Sequence, residues 1–206
     1  MSHDTFFISK HSGKYLLTAL FVFFISVLLD CEILEFITGI TSLVIIYIFR
    51  NPERELPKYE ANVIVSPVDG VIDSIEELNG KTIIMIKVGC FDSSILRAPI
   101  NGIVDSVYKY CGARLSRKND LANCLNEQVE ITYKDANKNE LKVKHLLTQS
   151  FADLVCDSKS SIEISSGERC GVMVHGLTTI TLATKLQSVI VVGSKVEAGI
   201  TQISEF

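Results

Sequence analysis

Two apolar segments near the amino terminus constrain the fold more than any other feature of this sequence. Residues 15–29 are nearly all apolar, residues 33–49 are apolar apart from Glu35 and a few small hydroxyl residues, and Asp30-Cys31-Glu32 separates the two. As α-helices they would be about 22 to 26 Å long, slightly less than the roughly 30 Å hydrocarbon core of a bilayer. Neither segment has a polar face to present to water. We therefore predict a shallow, membrane-associated helical hairpin.

Basic residues at both outer ends of the hairpin predict its orientation. Lys10 and Lys14 precede the first segment, and Arg50 and Arg54 follow the second. The positive-inside rule then places the rest of the chain on the cytoplasmic side of a bacterial-type cytoplasmic membrane. A signal peptide is disfavoured because a second apolar run follows residue 29 at once, without a small-residue cleavage site. A buried hairpin of a soluble domain is the other alternative.

Beyond Pro57 the sequence changes to short β-branched runs punctuated by glycine, which is typical of β-strands. The predicted strands are 63–65, 71–75, 82–88, 103–108, 128–133, 141–146, 171–174, 179–182 and 188–192. Asn79-Gly80 and residues 135–139 predict hairpin turns, and residues 120–125 a short helix. We predict a mainly β fold with two domains: the hairpin in residues 1–55, then a compact barrel-sandwich-like β domain in residues 56–206.

An internal repeat lies within the predicted β domain. Residues 66–75 and 98–107 share proline, glycine, aspartate and serine at matched places. Proline before a turn and glycine after it fix a bend that leads into an apolar strand, so each copy predicts a strand-turn-strand corner. Such corners resemble those of lipoyl and biotinyl carriers. A carrier function is disfavoured, because no lysine is found at the tip of a matching hairpin.

Composition argues against other classes of protein. The net charge is -4 and there is no cluster of lysine or arginine, which disfavours nucleic acid as a partner. The six cysteines form no Cys-x-x-Cys pair and have no matching histidine spacing. We expect no metal site and no disulfide framework, but free thiols in a reducing compartment.

Five short motifs occur in an order that is typical of one family. They are Asn51-Pro52-Glu53-Arg54, residues 66–70 (SPVDG), residues 97–102 (RAPING), Asn126-Glu127-Gln128 and residues 167–179 (GERCGVMVHGLTT). Together they resemble the short bacterial and archaeal form of the phosphatidylserine decarboxylases, over nearly all of residues 11–206. The resemblance implies a membrane-attached enzyme that converts phosphatidylserine to phosphatidylethanolamine and carbon dioxide. It also implies a pyruvoyl group, which the family makes by cleaving its own backbone at a Gly-Ser bond.

The same resemblance points to the candidate catalytic positions, and two of them are altered. Gly176 and Leu177 match the Gly-Ser pair, and leucine has no nucleophile. Asp69 matches the family aspartate, although it could equally serve only to stabilise its turn. Ser94 stands where the family has a histidine that helps to activate the serine. We therefore do not expect the pyruvoyl group to form in this chain.

Two neighbouring side chains are candidates for replacing the lost serine chemistry. Attack by Thr178 on the carbonyl of Leu177 is conceivable, but it would leave a 2-oxobutanoyl group, and a shift of one residue along a strand reverses the face. His175 could be a displaced base, although a lone histidine at a strand end is usually packed or solvated. Neither replacement is expected.

Candidate substrate-binding residues are Arg97, Asn126 and Glu127, each of which matches a family position. Arg97 could pair with a phosphate or a carboxylate, or close a salt bridge to Asp92. Gln128 replaces a family arginine, and residues 148–153 lack a glycine and two arginines of the family pattern. Positive charge is therefore lost where an anionic lipid would be handled.

Two hypotheses of function remain open. One is a membrane-attached decarboxylase of phospholipid biosynthesis. The other is a catalytically inactive, uncleaved homologue that binds membrane phospholipid or a protein partner. Assembly with itself or with another protein is compatible with both.

Overall fold

The computed structural model describes residues 8–30, 32–57, 59–60, 62–183 and 190–206. The chain divides into two compact units, Met1–Glu53 and Arg54–Phe206. The first unit is helical and the second is mainly β, which confirms the predicted fold class.

Two packed helices, α1 (Gly13–Leu28) and α2 (Glu32–Ile48), form the first unit. A hydroxyl contact joins them, with Ser26 Oγ 3.1 Å from Thr38 Oγ1. At the open end of the hairpin the rings of Tyr15 and Phe49 stack with centroids 5.2 Å apart. The Ser9 N–H also donates to the Phe49 carbonyl at 3.0 Å. These contacts fix the two segments as a helical hairpin.

The outer surface of this hairpin is apolar. Large side chains of both helices are more than half exposed, among them Leu17, Phe21, Phe24, Ile33, Phe36 and Leu43. The helical stretch Lys10–Leu28 is long and apolar enough to cross a membrane, judged by length and composition. Water solvates such a surface poorly, so it is suited to contact with lipid.

Short strands in three sheets build the second unit. They are β1 (Val63–Val65), β2 (Gly70–Leu78), β3 (Lys81–Val88), β4 (Ile95–Arg97), β5 (Gly102–Tyr110), β6 (Gln128–Lys134), β7 (Glu140–Leu147), β8 (Val155–Cys156), β9 (Glu163–Ile164), β10 (Arg169–Val172), β11 (Gly176–Leu182), β12 (Lys195–Val196) and β13 (Gln202–Glu205). The largest sheet has the order β12-β2-β3-β11-β7-β6-β5-β9; the others are β4-β10-β8 and β1-β13. All these strand pairs are antiparallel, and in the described part of the chain the large sheet does not close into a barrel.

Buried and more exposed residues alternate along the central strand β3, and the buried ones form part of the core. In β3, Thr82, Ile84, Ile86 and Val88 are buried, while the residues between them are half-buried or exposed. Such alternation places one face of the sheet against a common core. The turn before β3 has two residues, Asn79 and Gly80, with φ values of 52° and 74°. Asparagine and glycine adopt this left-handed conformation most readily, so the predicted hairpin is confirmed.

The internal repeat is visible in the strand pairing. Its two copies contribute β2 and β5, and each strand carries a bulge at the repeat-equivalent aspartate, between Ile72 and Ser74 in one and between Val104 and Ser106 in the other. Each strand also begins at a glycine that is closely approached by a neighbouring strand. A Cβ at Gly70 would lie 2.3 Å from the Lys87 carbonyl oxygen, and one at Gly102 would lie 2.1 Å from that of Lys134. The two corners are therefore built in the same way.

Some elements differ from the predicted ones. Strand β11 begins at Gly176, three residues earlier than expected, so Gly176 and Leu177 lie inside a strand. Strands β4, β8, β9, β12 and β13 were not predicted. Residues 188 and 189 of the last predicted strand lie outside the described residues, and residues 190–192 carry no strand. The short helix α3 (Ala122–Leu125) lies within its predicted range.

Candidate functional site

Gly176 and Leu177 lie at the start of β11, with a strand on each side. Leu177 is 7% exposed and lies opposite Lys87 of β3 and Leu146 of β7. A Cβ at Gly176 would lie 2.2 Å from the Leu146 carbonyl oxygen, so only glycine fits there. The bond between Gly176 and Leu177 is thus part of a continuous strand paired on both sides.

Asp69 immediately precedes β2 and is held by several donors. Arg54 Nη1 donates to Oδ1 at 2.7 Å and Arg54 Nη2 donates to Oδ2 at 2.6 Å. The Ala198 N–H donates to Oδ1 at 2.8 Å. Burial acts to raise the pKa of Asp69, but hydrogen bonds from Arg54, Ala198 and the Ser93 N–H outweigh it and lower the pKa below its usual value. Asp69 is therefore an ionised carboxylate bound to a guanidinium group.

Ser94 is buried beside Asp69. The N–H of the preceding Ser93 bonds to Asp69, which makes the two family positions neighbours in space. Ser94 Oγ is buried and has no hydrogen-bond partner among the described residues. Its carbonyl accepts from the Met173 N–H at 2.8 Å, and Met173 Sδ would lie 3.1 Å from a Cβ at Gly176. Asp69 is therefore linked through the Ser93–Ser94 backbone to Met173, whose sulfur lies close to Gly176.

Arg97 lies at the end of β4 and is 4% exposed. Its Nη1 donates to the Gly167 carbonyl at 2.7 Å, and its direct partner in the β4–β10 pair is Arg169. Burial lowers the pKa of Arg97 to about 10, and the charges of Arg169 and Arg54 act in the same direction. Arg97 is therefore a buried cation close to two others.

Asn126 and Glu127 lie beside the end of β7, the strand that pairs with the start of β11. Asn126 Nδ2 donates to the Leu147 carbonyl at 2.8 Å, and Leu147 is the partner of Gly176. The Asn126 side chain also exchanges two hydrogen bonds with the Leu115 backbone. Glu127 forms ion pairs with Arg114 at 3.4 Å and Lys109 at 3.7 Å. In the structure Asn126 therefore fixes backbone next to β11, and Glu127 pairs with two cationic side chains.

A buried histidine that the sequence did not single out lies beside Thr178. His145 Nδ1 is 2.9 Å from Thr178 Oγ1, and the two residues are 1% and 0% exposed. Burial lowers the pKa of His145 to about 3. A base is most effective when its pKa lies near the working pH, so this imidazole activates a hydroxyl poorly. Only the pairing of β7 with β11, which is not apparent from sequence spacing, brings the two together.

His175, the displaced base considered from the sequence, is engaged elsewhere. Its Nδ1 lies 2.6 Å from the Thr148 carbonyl oxygen and 3.4 Å from Thr148 Oγ1.

Arg54 belongs to one of the sequence motifs, but the sequence does not reveal it as the partner of Asp69. The two residues are fifteen positions apart and no periodicity links them.

Within the described residues, no group of three or more histidine, cysteine, aspartate or glutamate side chains is placed to hold a metal ion. The five cysteines in this part of the chain are free thiols.

Comparison with known proteins gives a consistent result. The family model described as phosphatidylserine decarboxylase matches residues 42–204. This chain belongs to the phosphatidylserine decarboxylase family. A phosphatidylserine decarboxylase proenzyme of Pelagibacter ubique (strain HTCC1062) is 26% identical over 176 residues, which cover 81% of this chain and 81% of that protein. Those of Rickettsia africae (strain ESF-5) and Rickettsia bellii (strain OSU 85-389) are each 28% identical over 172 residues, covering 78% of this chain and 74% of theirs. No solved structure matches the chain.

The family is pyruvoyl-dependent and membrane-associated. At the positions that the sequence predicts for the family's Gly-Ser pair, aspartate and histidine, the residues present do not fit formation of the pyruvoyl group, which needs a hydroxyl where Leu177 carries a hydrocarbon side chain. Asp69 is bound by Arg54 on both oxygens, and Ser94 supplies no imidazole. We derive no catalytic step through a pyruvoyl group in this chain.

Proposed function

We propose that this protein is an uncleaved, membrane-attached member of the phosphatidylserine decarboxylase family that binds phospholipid without decarboxylating it. The observation that carries the proposal is Leu177, a buried apolar residue at the cleavage position of the family, inside a strand paired on both sides. A peptide bond in such a strand, with no adjacent activated hydroxyl, has no route to self-cleavage.

Several observations support attachment to a membrane. The first unit is a helical hairpin with an apolar outer surface, and its helical stretch Lys10–Leu28 is long and apolar enough, by length and composition, to cross a bilayer. Lys10 precedes α1, Lys14 lies in its first turn, and Arg50 follows α2. By the positive-inside rule the β unit lies on the cytoplasmic side of a bacterial-type cytoplasmic membrane.

Decarboxylation of phosphatidylserine to phosphatidylethanolamine is the second candidate function. It is favoured by the names of the curated relatives, which align with about four fifths of this chain. In those relatives the word proenzyme describes a precursor. For this chain the candidate requires a nucleophile that position 177 does not supply.

The mass of the purified full-length protein distinguishes the two candidates. We expect a single species of full mass, 22.8 kDa, on a denaturing gel and by mass spectrometry. The protein should bind vesicles that contain phosphatidylserine and leave the lipid unchanged. A carboxy-terminal fragment beginning near residue 177 with a keto terminus, or release of carbon dioxide by protein free of host decarboxylase, would overturn the proposal.

A further inference from the structure

Three arginines, Arg54, Arg97 and Arg169, lie close together in the β unit, and Arg54 binds Asp69. Arg97 on β4 and Arg169 on β10 are direct partners across an antiparallel strand pair. The charges of Arg169 and Arg54 both act on Arg97. Like charges directly opposite each other on paired strands are destabilising, so this arrangement calls for a compensating negative charge.

The negative charge available nearby is already engaged. Asp69 is the buried carboxylate whose charge acts on Arg97, and both of its oxygens are bound by Arg54. Glu197 acts on Arg54, but it is exposed to solvent. Arg97 has a pKa of about 10 and is still charged at neutral pH. Among the described residues, the guanidinium groups of Arg54 and Arg97 therefore lie near the buried carboxylate of Asp69, and Arg169 lies next to Arg97.

Arg169 has a donor that is not used. Its Nε is buried and has no hydrogen-bond partner among the described residues. The residue as a whole is half-buried. A buried donor without an acceptor is unfavourable, and an anion placed at this guanidinium group would accept a hydrogen bond from Nε and offset the positive charge.

We propose that Arg97 and Arg169 form a binding site for a phosphate-bearing anion, which Arg169 contacts through its unpaired Nε. A planar guanidinium group matches the oxygens of a phosphate by two parallel hydrogen bonds. Inorganic phosphate and a phospholipid headgroup share this chemistry. The choice of the headgroup as the natural source rests on the proposed lipid-binding function.

Thermal unfolding of the full-length protein in neutral detergent tests the site itself. Inorganic phosphate should raise the Tm by a few degrees relative to chloride at equal ionic strength, because a ligand that binds only the folded state stabilises it. Arg169→Gln should abolish this shift. Arg117→Gln is the matched control, since Arg117 is an exposed arginine paired with Asp73, and it should keep the shift. Absence of the shift in the unchanged protein, or its persistence in Arg169→Gln, overturns the proposal.

A measurement on the unchanged protein covers the case in which Arg169→Gln does not fold. Phenylglyoxal modifies accessible guanidinium groups, and peptide mapping locates the modified residues. Phosphate should slow modification of Arg169 several-fold and leave that of Arg117 unchanged. Equal effects at both residues, or at neither, would contradict a specific site.

Vesicles distinguish the source of the anion. We expect the folded Arg169→Gln variant to bind vesicles of a galactolipid, which carries no phosphate, as the unchanged protein does, and to lose several-fold in affinity for the same vesicles with added phosphatidylserine. If phosphate binds but no vesicle does, the anion site stands and the proposed lipid-binding function fails. If vesicles bind equally well in both proteins and phosphate has no effect, the anion site fails and lipid binding stands.

Discussion

We predict that single side chains at the start of β11 decide whether this member of the family can process itself. Leu177→Ser restores a hydroxyl after Gly176, but that hydroxyl needs a base. Ser94→His places an imidazole next to the residue whose N–H binds Asp69. We expect backbone cleavage only when both substitutions are present, because activation requires the nucleophile and the base together. The measurement is the appearance of a carboxy-terminal fragment on a denaturing gel.

The control for this experiment is Leu177→Ala combined with Ser94→His, which carries the base without a nucleophile and should stay intact. Cleavage of the Leu177→Ser single variant would show that Ser94 is wrongly assigned to the histidine position of the family.

His145 gives the folded protein a characteristic dependence on pH. Its pKa is about 3 when folded and about 6.5 when unfolded. Between these values the unfolded chain binds a proton that the folded chain does not, so the free energy of unfolding falls as the pH falls. The slope is up to about 1.4 kcal/mol per pH unit, and the full contribution is present above about pH 6.5.

Replacing the buried pair tests this dependence. His145→Leu with Thr178→Val removes both polar partners, so no buried group is left unsatisfied and stability at pH 7.5 should change little. Urea unfolding between pH 4.5 and 6.5 should then lose most of the slope. Thr178→Val alone retains the imidazole and should retain the slope. The lowered pKa of Asp69 acts only below about pH 4, outside the window that is measured. An unchanged slope in the double variant would show that another group causes it.

The ion pair of Asp69 is predicted to stabilise the fold. Asp69→Asn leaves Arg54 largely buried without its carboxylate, and the expected loss is about 3 kcal/mol or more in the free energy of unfolding. The matched control is Asp73→Asn, which breaks a second bidentate Arg–Asp pair whose arginine is 47% exposed. That change should cost less than about 1 kcal/mol. Equal losses in the free energy of unfolding for the two variants, measured with urea, would mean that burial does not make the Arg54–Asp69 pair more stabilising than an exposed pair.

Among the strands, the repeat was the part of the fold most open to prediction. The spacing of proline, glycine and aspartate predicted the starts of β2 and β5 to within one residue, and the bulges fall at equivalent residues. Five strands of two to four residues, β4, β8, β9, β12 and β13, were missed because such short runs carry no periodicity of their own; β1 was predicted and β10 only in part. The pairing of distant strands also could not be predicted, since a single sequence does not show which strands are neighbours in a sheet. For the same reason Asp69, Ser94 and Gly176 could be found from motifs, but the partners Arg54 and His145 could not.

The equivalence of the two corners makes a prediction at this scale. Gly70→Ala and Gly102→Ala each place a Cβ within about 2.3 Å of a carbonyl oxygen on a neighbouring strand. Both should destabilise the β unit by similar amounts, about 2–3 kcal/mol, because backbone must move in either case. Gly80→Ala is the control: nothing lies within 4 Å of its Cβ, and its cost is limited to the left-handed φ, about 1 kcal/mol. A much smaller loss at one of the two corners, measured by urea unfolding, would show that the copies are not structurally equivalent.

For the whole molecule, the division into a helical and a β unit allows the proposed membrane attachment and the proposed lipid binding to be tested separately. The hairpin presents apolar side chains of both helices, whereas the candidate family positions and the arginine group all belong to the β unit. Family membership accounts for the β unit in particular, because the matched region begins within α2 and continues to residue 204. Membrane binding should therefore be removable without loss of the β fold.

Substitutions in the hairpin test this separation in the full-length chain. Phe21 and Phe36 are 65% and 70% exposed, one on each helix. Phe21→Asp with Phe36→Asp places two carboxylates where lipid is expected. At a cost of about 2.5–3.5 kcal/mol for each acidic residue in the middle of a bilayer, vesicle binding should fall by more than about a thousandfold. Phe21→Leu with Phe36→Leu preserves the apolar surface and should bind as the unchanged protein does. Thermal unfolding of the β unit should be the same in all three proteins. Retained binding of the aspartate variant in a vesicle flotation assay would mean that the hairpin is not the membrane anchor and that its apolar surface is covered by protein.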